Sequence, residues 1–162
     1  MVFGHSAGVL GKLGLILPVG LVMLLAGCDY FPSDHLAVQQ RGESLRVAFC
    51  EGASLTEIHM EERITFPGEW QPFFDARVSI QLTPGTVLST GELPLTDTRW
   101  HIRSPTLAPD GQLLVSYYDE AEETGKSAGF TIPHSGLPEV GWLQPDDAGI
   151  TDEACPADPA DK

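Results

Sequence analysis

From Leu45 onward, apolar and polar residues alternate with a period of two. Leu45, Val47 and Phe49 alternate with Arg46 and Ala48. Thr56, Ile58 and Met60 alternate with Glu57, His59 and Glu61. Ala76, Val78, Ile80 and Leu82 alternate with Arg77, Ser79 and Gln81, and Trp100, Ile102 and Ser104 with Arg99, His101 and Arg103. Successive side chains of a strand point to opposite faces, so each run predicts a strand with one buried and one wet face. Leu113–Tyr118 is apolar or aromatic at most positions on both faces and predicts a central strand. Gly129–Ile132 predicts a last short strand. Pro84-Gly85, Thr90-Gly91, Pro109-Asp110-Gly111 and Thr124-Gly125 supply turn chemistry between the runs. Upstream, Ser33 reads as the cap of a two-turn helix over Asp34–Arg41 that Gly42 ends. Prolines throughout the chain disfavour long helices. The pattern predicts an all-β domain, a small antiparallel sandwich or barrel.

The first residues follow a different pattern. Lys12 precedes an apolar run, Leu13–Ala26, that ends in Leu25-Ala26-Gly27-Cys28. A bilayer-spanning helix needs about 20 apolar residues, and this run is shorter and broken by Pro18 and Gly20. A short apolar stretch behind a basic residue, closed by small residues, is the layout of a cleaved export signal. With the cysteine at its end, the segment resembles the lipobox of bacterial lipoprotein signal peptides. The resemblance covers residues 12–28 and implies nothing about the rest. It implies that residues 1–27 are removed and that Cys28 is lipidated. It also implies a protein anchored in the cell membrane on its extracytoplasmic face. Two or more acyl chains anchor stably where one does not. The expected organisation is a signal peptide at 1–27, a lipidated N-terminus and short tether at 28–44 and a β-rich domain at 45–142. An acidic irregular tail at 143–162 would be pinned by Cys155.

Removal of residues 1–27 leaves 135 residues, enough for one domain with a real core. Eight basic residues then face 23 acidic ones, a formal charge of −15. That balance excludes nucleic acid, whose phosphates need Lys and Arg, and disfavours lying flat on anionic lipid. With Cys28 taken by lipid, Cys50 and Cys155 remain. An oxidising compartment favours their pairing as a disulfide.

Candidate chemistry is sparse. Gly4-His5-Ser6-Ala7-Gly8 matches the nucleophile-elbow pattern but lies in the segment expected to be cut off. Glu57, His59 and Glu61 share one strand face and are candidate metal ligands, although residues about 7 Å apart on a straight strand converge poorly. Arg99, His101 and Arg103 form a basic stripe that would pair with them if the two strands were neighbours. His134, Ser135 and the acids Asp119, Glu120, Glu122 and Glu123 carry no triad or calcium-loop spacing. His59, His101 and His134 are the histidines on which metal binding would rest. Trp70, Phe73, Phe74 and Trp142 are candidate binding aromatics or core residues. No cofactor motif is present.

The resulting expectation is a non-catalytic binding or accessory module outside the cytoplasmic membrane. Its partner would be an envelope protein, a wall polymer or a solute. An extracytoplasmic hydrolase acting on envelope material, or a metal-binding or solute-binding lipoprotein, is the alternative.

Overall fold

A computed structural model describes residues 30–32, 35–65, 67–93 and 104–156. Among these residues ten strands run in chain order: β1 (Tyr30–Pro32), β2 (Leu36–Arg41), β3 (Ser44–Phe49), β4 (Ala53–Arg63), β5 (Gln71–Leu82), β6 (Thr86–Ser89), β7 (Gln112–Asp119), β8 (Thr124–Thr131), β9 (Trp142–Leu143) and β10 (Ile150–Thr151). They form two five-stranded sheets, ordered β1-β8-β7-β4-β5 and β10-β9-β2-β3-β6. Pairing is antiparallel throughout except where β1 joins β8 in parallel. The fold is an all-β sandwich, and among the described residues there is no helix.

The alternation places the core. Ile58, Met60, Val115 and Tyr117 point inward from the first sheet, and Leu36, Val38, Val47 and Phe49 from the second. Phe49 meets Tyr117 edge to face, with ring centroids 5.3 Å apart, a geometry that aligns ring edge with ring face. β7 is the middle strand of its sheet, as its two-sided apolar character predicts.

The expected helix over Asp34–Arg41 does not form, because Leu36–Arg41 is strand β2. Its residues Leu36 and Val38 enter the core, while Ala37 between them is covered from outside. A two-residue turn, Gly42-Glu43, reverses the chain into β3, with Gly42 at φ 59°. A helix end and a tight hairpin both favour a glycine at positive φ, so Gly42 alone does not distinguish them. The sheets therefore extend upstream of Leu45, the expected domain start. They also extend downstream of Trp142, since Leu143 of β9 and all of β10 lie in what reads as an irregular tail. The last turn likewise falls earlier than Thr124-Gly125: residues 120–123 make it, with Glu123 at φ 52°.

Cys50 and Cys155 form the expected disulfide. It holds the C-terminal segment against the outer face of the second sheet. There Trp142 and Ala154 pack on Ala37, Ala48 and Val87 as a small second cluster.

Candidate functional site

The outer face of the first sheet carries the candidate ligands. Register places Asp75, His59, Ser116 and Ser127 in one row across β5, β4, β7 and β8. A second row runs Pro72, Glu61, Leu114, Gly129. The two serines are small and Gly129 has no side chain, so the rows leave a groove of about 410 Å³. His59 and Asp75 line its β4–β5 side.

His59 is held between two carboxylates. Its Nδ1 lies 3.2 Å from Asp75 Oδ1 and its Nε2 lies 3.7 Å from Glu57 Oε2. Glu57 Oε1 in turn lies 3.3 Å from Arg77 Nε. The stripe on β4 is thus paired with its neighbour β5. The basic stripe Arg99, His101 and Arg103 lies outside the described residues. These partners are one-third exposed or more, so each pair contributes about 0–1 kcal/mol and sets register more than stability.

The Asp75–His59–Ser116 row resembles a hydrolytic triad on paper. A nucleophile must be hydrogen-bonded to its base, yet the Nε2 that would take the Ser116 proton is turned toward Glu57. The interior backbone N–H groups of β7 are committed to the ladders on both sides, so none of these is free to serve as an oxyanion donor. Nor do Glu57, His59 and Glu61 make a metal centre. Glu61 lines the groove without joining the Glu57–His59 pair. Among the described residues no three His, Cys, Asp or Glu side chains are grouped to hold a metal ion.

The remaining candidates separate. His134 bonds Asp110 at 2.9 Å on open surface, and the Asp110 hydrogen bond raises its pKa. The acids at 119–123 sit at the opposite end of β8, so no triad with His134 and Ser135 assembles. Asp119 is not part of a solvated acidic tip. It is buried, and its Oδ1 accepts from the backbone N–H groups of Ser54 and Ala121, both at 3.0 Å. Glu120, Glu122 and Glu123 are exposed. Of the aromatics, Phe73, Phe74 and Trp142 are buried and pack in the interior, with Phe74 also reaching the floor of the His59 groove. A register shift at Met60/Glu61 adds a residue to β5 and lets both phenylalanines turn inward. Trp70 stays partly exposed, with the Arg63 guanidinium 4.6 Å from its ring centroid.

One residue escapes the sequence reading. Glu62 is 1% exposed. Its carboxylate accepts from Thr106 N at 2.9 and 3.0 Å and from Leu107 N at 2.7 Å. The signal is parity: Glu62 continues the inward series Ile58, Met60.

No family model matches this chain, and neither a curated protein nor a solved structure does.

Proposed function

We propose that this is a lipid-anchored protein of the bacterial cell envelope. Its sandwich domain acts outside the cytoplasmic membrane as a non-catalytic binding or accessory module. The anchor rests on Leu25-Ala26-Gly27-Cys28. The non-catalytic assignment rests on one observation: both ring nitrogens of His59 face carboxylates rather than a serine.

The start of the fold bears on how such a protein would be held. Tyr30, the first residue of β1, is two positions after Cys28, a span of at most about 7 Å. Tyr30 pairs with Gly125, beside the turn that carries Glu120, Glu122 and Glu123. A lipidated Cys28 would bring this acidic end close to the headgroups. Carboxylates there are repelled by anionic lipid, so the acyl chains, not the domain surface, supply the attachment. The rest of the sandwich then stands away from the bilayer, open to a partner.

Cross-linking in intact native cells, followed by purification through a C-terminal tag and mass spectrometry, tests the role. One envelope protein or wall polymer recovered reproducibly in near-equal amount is expected. Recovery of the chain alone would contradict an accessory role.

A further inference from the structure

We propose that the outer face of the second sheet holds a binding site for a singly charged oxygen anion, built on Arg41 and Arg46. This site is independent of the lipid anchor and of the His59 groove. A groove of about 450 Å³ is lined there by Arg41, Ser44, Arg46, Val87, Ser89 and Glu92. Register explains the grouping. Arg41 is opposite Ser44 at the β2–β3 hairpin end, and Arg46 is opposite Gln39 on one side and Ser89 on the other. Both arginines therefore leave the same face of the sheet.

Arg46 is fixed before any ligand arrives. Its Nη1 donates to Gln39 Oε1 at 2.6 Å. Gln39 is buried, and its Nε2 donates to the Gly141 carbonyl at 2.9 Å. The guanidinium carbon lies 5.1 Å from the Trp142 ring centroid. A guanidinium carries five N–H donors, and the Gln39 bond uses one of them. A positioned planar fork loses little further freedom when it binds an anion.

The charge at the site is unbalanced. Two other described cations do find carboxylates: Arg77 meets Glu57, and Lys126 meets Glu51 and Glu122. Among the described residues, no carboxylate forms an ion pair with Arg41 or Arg46. Like charges placed close together on a sheet face repel, and an anion between them reverses that penalty. Glu92 on the groove wall offsets one of the two guanidiniums, leaving one positive charge uncompensated. That balance fits a phosphodiester or carboxylate group, each a single charge shared by two oxygens that a guanidinium fork can bridge.

The test is an NMR titration of the full detergent-solubilised protein, following arginine Nε–Hε signals. Dimethyl phosphate and acetate are the probes. Saturable shifts at Arg41 and Arg46, with Arg77 unmoved, are expected for at least one probe. A response to dimethyl phosphate alone assigns a phosphodiester, and a response to acetate alone assigns a carboxylate. R46Q should weaken binding by about tenfold or more. R41Q, at an exposed hairpin position, should also weaken it and should leave the fold intact. No saturable shift, equal shifts at Arg77, or unchanged binding in both variants would overturn the proposal.

Discussion

A carboxylate sealed inside a sandwich needs donors, and Glu62 finds them on the backbone of Thr106 and Leu107. Leu107 has φ 43°, a region that costs a non-glycine residue energy. The carboxylate thus helps hold a loop that its own conformation disfavours. Glu62→Gln keeps the shape but loses the charge-assisted bonds and should cost about 1–3 kcal/mol. Urea denaturation checks this, and an unchanged midpoint would contradict it. His134 offers a pH test. Its hydrogen bond to Asp110 raises the folded-state pKa above the ordinary 6.5. The associated stabilisation is complete below the unfolded pKa and fades as pH rises through the folded one. An NMR titration should show the raised pKa falling back toward 6.5 in Asp110→Asn; no change would contradict the pairing. These residues differ in legibility. The parity that places Glu62 inward is visible in the sequence, whereas its donors lie more than forty residues away. Likewise, the face shared by Glu57 and His59 is legible. Their partners Asp75 and Arg77 are not, because nothing local says which strand lies beside β4.

Elements were legible where the alternation is long. β3 and residues 76–82 of β5 follow it, and β7, apolar on both faces, takes the middle of its sheet. Two local features defeat it. Gly42 suits a helix end and a hairpin equally, which turns β2 into an expected helix. The extra residue in β5 puts Phe73 and Phe74 on the same side, against the period-two rule. The C-terminal segment is the element whose attachment is easiest to test. β9 and β10 are two residues each, too short to hold by pairing alone. The disulfide closes a sequence separation of 105, stabilising by about 4–5 kcal/mol in the chain-entropy model and often less in practice. Cys155→Ser should lower the unfolding midpoint and shift Trp fluorescence to the red, as Trp142 loses its cover. A variant with unchanged emission and stability would show that the segment docks without the bridge.

At the scale of the whole molecule, composition and fold leave a specific distribution of charge. The end near β1 is acidic, the first sheet's outer face pairs Glu57, His59, Asp75 and Arg77, and the second sheet's outer face holds Arg41 and Arg46, which meet no carboxylate among the described residues. The sandwich class was readable from alternation and turn residues. The order of strands was not, because long-range pairing depends on packing rather than on local pattern. The proposed lipidation of Cys28 would set both location and orientation. Intact mass spectrometry of the native protein, extracted from membranes, tests it most directly. An N-terminus at Cys28 carrying a diacylglyceryl group, with or without an amide-linked acyl chain, is the expected result. An unmodified Cys28, or a chain that keeps residues 1–27, would contradict it.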